Sequence, residues 1–128
     1  MTVMLDTNIV IRLTQNDAAV TRALGAIAEP IAISAVTRVE LEGGVYAHPE
    51  DTLLRRALVD TVLASIETIA FDDDDAVAYG AIVAVAGYSR RKLLDRMIAA
   101  QALIRSVALA TANPSDFSDI PGLSLLAW

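Results

Sequence analysis

The sequence predicts an α/β fold, a three-layer α/β/α sandwich in which helices cover both faces of a central, mainly parallel sheet. Short apolar runs alternate along the whole chain with longer segments of helical periodicity. The apolar runs lack polar alternation, as expected for strands that are buried on both faces. No linker, internal repeat or low-complexity segment interrupts this alternation, so we expect a single domain over residues 1–128.

The strands are predicted at the apolar runs Val3–Leu5, Ile31–Ile33, Ile66–Ile69, Val107–Ala110 and, as a short edge strand, Leu123–Leu126. Helices are predicted between them at 8–13, 17–26, 34–45, 53–63, 72–86 and 90–105. Ser34 stands where an N-cap belongs, and Asp72–Asp75 favour the positive end of a helix. Gly43 and Gly44 are expected to weaken the end of the third helix.

The composition is unusually apolar, with 55% hydrophobic residues and a mean hydropathy of +0.49. No segment reaches the roughly 18 successive apolar residues of a membrane span. The absence of cysteine excludes disulfides and thiolate ligands and is compatible with a reducing compartment. We expect a soluble, cytoplasmic protein that covers part of its apolar surface in a homodimer or a partner complex.

The charge is acidic overall but unevenly distributed. A net charge of -6 argues against holding nucleic acid by broad electrostatic attraction. Four of the ten basic residues nevertheless fall within seven positions: Arg90, Arg91, Lys92 and Arg96. These residues either form a local basic patch, or lie at a solvated helix start, or neutralise nearby acids.

Four acids from four separate βα units are expected to converge on one crevice at the sheet's carboxyl edge, where open α/β sheets bind ligands. They are Asp6, Glu40, Asp95 and Asp116. Carboxylates without cysteine make a hard-oxygen site suited to Mg²⁺, or Mn²⁺ as its substitute, rather than zinc. Thr7 and Asn8 either cap the next helix or orient the Asp6 carboxylate, and Asp6 itself could be no more than a cap.

Four segments in this order resemble the successive motifs of PIN domains, and most closely those of VapC-like toxin ribonucleases from toxin–antitoxin pairs. They are 4–8 (MLDTN), 34–41 (SAVTRVEL), 95–100 (DRMIAA) and 111–117 (TANPSDF). The ending from Ile120 to Trp128 is also similar to the way such toxins end. Each motif alone is weak, but together they extend over essentially the whole chain.

The resemblance implies that Asp6, Glu40 and Asp95 bind metal and that Asp116 is the fourth acid. Asn113 lies beside Asp116, and Thr7 or Thr111 supplies a supporting hydroxyl. The family varies in which position of the last motif carries the acid. Asp116 could therefore bind a metal directly, through water, or not at all.

The implied activity is an endoribonuclease that hydrolyses RNA phosphodiester bonds with a metal-activated water. The basic residues Arg90, Arg91, Lys92 and Arg96 are candidates for guiding the RNA backbone. The implied partners are an RNA substrate, a second copy of the chain, and an antitoxin. The antitoxin would lay a helix and an extended tail in an apolar groove beside the acids, with a basic side chain reaching them.

Other interpretations are less favoured by the residues. A PIN-like module that has lost catalysis would not need all four acids. A phosphatase of the haloacid dehalogenase type requires a second aspartate where this chain has Asn8, and no glycine-rich loop for a dinucleotide follows the first strand. Glu42 is expected to face away from Glu40, and Asp72–Asp75 are expected to cap a helix rather than bind metal.

Overall fold

The computed structural model describes residues 2–128 and confirms the α/β prediction. Its strands are β1 (Val3–Leu5), β2 (Ile31–Ser34), β3 (Glu67–Ile69), β4 (Ala108–Thr111) and β5 (Leu125–Ala127). They form one sheet in the order β3-β2-β1-β4-β5, and every pairing between neighbours is parallel. The edge strand predicted at Leu123–Leu126 is confirmed as β5, which the structure places at Leu125–Ala127.

The helices are α1 (Thr7–Thr14), α2 (Ala18–Ala26), α3 (Ala35–Tyr46), α4 (Thr52–Leu63), α5 (Asp73–Ala86) and α6 (Leu93–Arg105), with short 3-10 helices at Pro49–Asp51 and Pro114–Phe117. The side chains of Asp17, Ser34 and Asp72 cap the helices that follow them, as their sequence positions predict. Helix α6 begins at Leu93 rather than Arg90, because the preceding residues form a turn. Within residues 2–128, no helix has the length and apolarity to cross a bilayer.

Alternate residues of the central strand point to opposite faces of the sheet. Val3 and Leu5 join a core with α1, α2 and α4, whereas Met4 joins a second core with α5 and α6. Helix α3 contributes to both, through Leu41 to the first core and Val36 to the second. The sheet is therefore covered on both faces, which is why its strands are continuous apolar runs.

The parallel arrangement places several strand ends at one edge. Leu5 pairs with Ala110, and the backbone N–H of Asp6 donates to the Ala110 carbonyl at 2.9 Å. Asp6 and Thr111 therefore leave neighbouring strands side by side. Because β2 also runs parallel to β1, Ser34 ends its strand at the same edge and starts α3 there.

A buried ion pair joins the helical hairpin of α5 and α6. The Asp75 side chain is fully buried, and Arg105 donates to its Oδ1 at 2.6 Å. Asp75 also exchanges capping bonds with Asp72, while Gln101 donates to the Ala70 carbonyl at 3.1 Å. The predicted capping role of the acidic run is confirmed, and its last acid also fixes the end of α6.

We expect Asp75→Asn to lower the free energy of unfolding by about 3 kcal/mol, because it leaves Arg105 without its buried partner. Burial alone would raise the pKa of Asp75, but the bonds from Arg105 and the Asp72 cap outweigh it and lower the pKa. The wild-type protein should hold this stabilisation above about pH 4 and lose it as the pH falls through the lowered value. Denaturant unfolding at several pH values measures both effects.

The exposed neighbour Asp74 provides the matched control. Asp74→Asn should change the free energy of unfolding by about 0.5 kcal/mol or less. Equal losses in the two variants would contradict the structural role of the Asp75–Arg105 pair.

Candidate active site

Asp6 is both a helix cap and a buried site acid. Its Oδ1 accepts from the Thr7 backbone N–H at 2.8 Å, and its Oδ2 accepts from the Thr111 hydroxyl at 2.9 Å. The residue is only 4% exposed. Burial raises the pKa of Asp6 despite these two bonds, and repulsion from Asp116 adds to the increase. The two interpretations of Asp6 left open by the sequence are therefore compatible.

Glu40 faces the same crevice from α3. Its Oε1 accepts from the Thr7 hydroxyl at 2.7 Å, so Thr7 joins two of the acids through its backbone and its side chain. Burial raises the pKa of Glu40, the Thr7 bond lowers it in part, and Asp6 raises it further by repulsion. Glu42 instead pairs with Arg56 at 2.6 Å, as expected for a residue on another face.

Asp95 lies in the first turn of α6 and is the most perturbed of the acids. Burial, followed by repulsion from Asp6, Asp116 and Glu40, raises the pKa of Asp95 to about 6. Asp116 is exposed on the 3-10 helix Pro114–Phe117. The fold thus brings the four acids of separate βα units within electrostatic range of one another.

The four acids form no ion pair with the basic residues that the structure describes. Among residues 2–128, none of the ion pairs includes Asp6, Glu40, Asp95 or Asp116, although the charge of Lys92 lowers the pKa of Asp95 in part. The side-chain carboxylates of Asp6 and Glu40 accept hydrogen bonds from the neutral groups of Thr7 and Thr111. A group of partly buried carboxylates without a counterion favours binding of a hard cation.

The chemistry of the donor set fits Mg²⁺ or Mn²⁺, because carboxylate oxygens are the ligands that these hard cations prefer. Within the described part of the chain, no three acidic or histidine side chains are gathered into a ready-made coordination group. Mg²⁺ usually takes one or two carboxylates and keeps several waters. An ion held by one or two of these carboxylates would therefore complete its coordination shell with water.

The basic segment is divided between surface and interior. Arg90 and Arg91 are exposed, whereas Lys92 pairs with Asp119 at 2.9 Å. The Arg96 side chain is 3% exposed and donates to Asp119 and to the Gly87 carbonyl. Arg96 is therefore a structural residue that holds the turn before α6, which corrects its prediction as an RNA contact.

The four predicted supporting residues differ in whether their side chains contact the site acids. Thr7 and Thr111 both donate to site acids, whereas Asn8 is exposed and makes no side-chain hydrogen bond among residues 2–128. Asn8 is therefore not positioned to orient Asp6. Asn113 acts through its backbone N–H, which donates to the Thr111 hydroxyl at 3.0 Å.

Two residues near the site were not predicted from the sequence. Asp119 accepts bonds from Lys92 and Arg96, and buried Thr37 lies 3.0 Å from the Thr7 hydroxyl. Thr37 could have been noticed because it precedes Glu40 by three residues and so shares its helix face. For Asp119 no comparable signal exists in the sequence.

The profile of the PIN domain matches residues 3–123, which is nearly the whole chain. The chain belongs to the PIN domain family. No protein of curated function matches this PIN domain.

Solved structures match this PIN domain along its full length. A chain of VapBC2 from Rickettsia felis, bound to a DNA fragment from its promoter, is 26% identical with a TM-score of 0.88, covering 100% of this chain and 99% of that one. A chain of DNA-bound VapBC from Salmonella typhimurium is 27% identical with a TM-score of 0.84, covering 100% of this chain and 98% of that one. A chain of VapBC-5, a toxin–antitoxin system of Mycobacterium tuberculosis, is 29% identical with a TM-score of 0.74, covering 99% of this chain and 98% of that one.

Asp95→Asn should stabilise the metal-free protein at pH 8, by about 1–3 kcal/mol for a shift of roughly two pKa units. Because the folded-state pKa of Asp95 is raised from 3.8 to about 6, protonated Asp95 adds to the free energy of unfolding, and this contribution is complete below pH 3.8. That contribution is lost as the pH rises through 6. The advantage of the variant should therefore shrink between pH 8 and pH 4, as measured by denaturant unfolding in chelator.

Glu29→Gln removes one negative charge from an exposed loop and serves as the control. It should change the free energy of unfolding at pH 8 by about 0.5 kcal/mol or less. A destabilised Asp95→Asn protein at pH 8 would show that Asp95 is not under repulsion from the other acids.

Proposed function

We propose that this PIN domain is a Mg²⁺- or Mn²⁺-dependent endoribonuclease and the toxin of a toxin–antitoxin pair. The observation that carries the proposal is the cluster of four acids at the carboxyl edge of a parallel sheet, none of which forms an ion pair within residues 2–128. Membership in the PIN domain family and the likeness to chains from VapBC complexes support it.

Asp6, Glu40 and Asp95 would hold the metal ion. Glu40 Oε1 is occupied by Thr7, which leaves Oε2 for the ion, and the Thr111 hydroxyl fixes Oδ2 of Asp6. The ion would supply charge that polarises a phosphodiester and favours deprotonation of water. Asp116 is the exposed member of the cluster, and exposed Arg90 and Arg91 are available to contact phosphates.

We expect Glu40→Gln to lower the RNA cleavage rate by at least about 100-fold, since a neutral amide weakens cation binding. The measurement is cleavage of total RNA by purified protein with Mn²⁺ or Mg²⁺, repeated with excess chelator. Chelator should abolish wild-type cleavage.

Glu42→Gln is the matched control, two residues away on the same helix but paired with Arg56. It should retain cleavage within about threefold. If the wild-type protein binds Mn²⁺ and cleaves no RNA, the alternative of a catalytically silent PIN-like binding module is favoured instead.

A groove beside Glu40 offers a site for the antitoxin. It has a volume of about 270 Å³ and lies between α1, α3 and α4. Its apolar lining is Ile11, Leu41, Val45, Leu54, Leu58 and Val59. Glu40 lies on the wall of this groove, so an apolar helix bound there could also bring a basic side chain to the acids.

Leu54→Glu should weaken the complex with the co-expressed antitoxin at least tenfold, because it puts a charge into the apolar lining. Leu54 is 61% exposed, and its neighbour Leu53, at 88%, lies outside the groove. Leu53→Glu is therefore the matched control and should bind within about threefold of the wild type. Affinity is measured by titration, and equal losses in both variants would exclude the groove.

A homodimer also stays a prediction for this chain. Apolar residues outside the groove, including Val39, Val77 and Val85, are more than two thirds exposed. Their exposure is consistent with an additional interface. Light scattering of the purified protein and of its antitoxin complex would give the oligomeric state.

A further inference from the structure

Thr37 is a buried hydroxyl residue that the proposed chemistry does not use. It lies on α3 three residues before Glu40 and is 0% exposed. Among the described residues, its side chain has one hydrogen-bond partner, the Thr7 hydroxyl, with 3.0 Å between the two oxygens. A buried polar group with a single partner depends strongly on that partner.

The direction of this bond follows from the proton of Thr7. The Thr7 hydroxyl carries one proton and lies 2.7 Å from Glu40 Oε1, which as a carboxylate oxygen can only accept. If Thr7 donated to Thr37 instead, two oxygens would face each other at 2.7 Å without a proton between them. Thr37 must therefore donate to Thr7, and Thr7 must donate to Glu40.

We propose that Thr37 is a positioning residue for Glu40 and acts through Thr7. This inference rests on the proposed function, because it assigns Thr37 to the site that holds the divalent cation. By occupying an acceptor position of the Thr7 oxygen, Thr37 fixes the rotation of that hydroxyl and strengthens its bond to the carboxylate. Glu40 Oε1 is then held in place, and Oε2 is left to contact the cation.

The Asp6 side of the site has the same construction. The Asn113 backbone N–H donates to the Thr111 hydroxyl at 3.0 Å, and Thr111 donates to Asp6 Oδ2 at 2.9 Å. In both cases a threonine hydroxyl accepts one hydrogen bond and donates another to a site acid. The repetition supports a directed role for Thr37 rather than an incidental contact in the core.

The test compares Thr37→Val with Thr37→Ser in the full-length protein without RNA. Valine keeps the side-chain volume and loses the hydroxyl, whereas serine keeps the hydroxyl and loses a methyl group. We expect Thr37→Val to weaken Mn²⁺ binding about tenfold, the low end for loss of a group that orients a ligand. Thr37→Ser should bind Mn²⁺ within about twofold of the wild type. Mn²⁺ affinity is measured by electron paramagnetic resonance, and thermal unfolding is followed in parallel.

The two variants separate positioning from packing. A purely structural role predicts that affinity follows stability, so that the cavity-forming serine variant would lose Mn²⁺ binding as much as valine does. Equal affinity in Thr37→Val and the wild type would overturn the inference while leaving the proposed function intact. A wild-type protein that binds no Mn²⁺ would overturn both. If Thr37→Val does not fold, Thr37→Ala takes its place, with the same expected loss.

Discussion

The burial of like charges beside one another is the constraint on which the rest of this site depends. Folding brings Asp6, Glu40, Asp95 and Asp116 to one edge of the sheet, and the pKa values of Asp6, Glu40 and Asp95 rise, first because these acids are buried and further because neighbouring acids repel them. Cations elsewhere in the chain are committed to other acids, with Arg56 on Glu42, Arg105 on Asp75 and Lys92 on Asp119. The local excess of negative charge is therefore built into the fold, and the two apolar cores must offset its cost.

Neutral donors solve the problem of orienting these acids without neutralising them. A lysine or arginine beside Asp6 or Glu40 would fix the carboxylate but would also compete with a bound cation. Threonine hydroxyls and backbone N–H groups fix the same atoms and leave the charge intact. This explains why the shortest contacts of the site acids are to Thr7 and Thr111.

The fold was largely predictable because its signals are local. Buried parallel strands are continuous apolar runs, and caps such as Ser34 and Asp72 act within three residues of their own positions. The meeting of the four acids was predictable too, because parallel strands end at a common edge. The order of the motifs also predicted the family. Within residues 2–128, however, the carboxylates do not form a complete coordination group.

The missed features depend on contacts between distant segments. Thr37 and Thr7 are 30 residues apart, and Asp119 lies 27 residues from Lys92. An arginine beside three other basic residues is expected in solvent, yet Arg96 is buried because Asp119 and the Gly87 carbonyl satisfy it. Such pairings become visible only when α1 is packed against α3, and α6 against the segment that follows the 3-10 helix Pro114–Phe117.

Helix α6 is fastened at both of its ends. Arg96 and Lys92 attach its beginning to Asp119, and Arg105 attaches its last turn to Asp75. The backbone that carries Asp95 is consequently held on both sides of the proposed metal site. If that site binds a divalent cation, any adjustment of the carboxylates to ions of different radius would come from the Glu40 side chain and from the exposed turn that carries Asp116, and discrimination by ionic size would reside in those two elements.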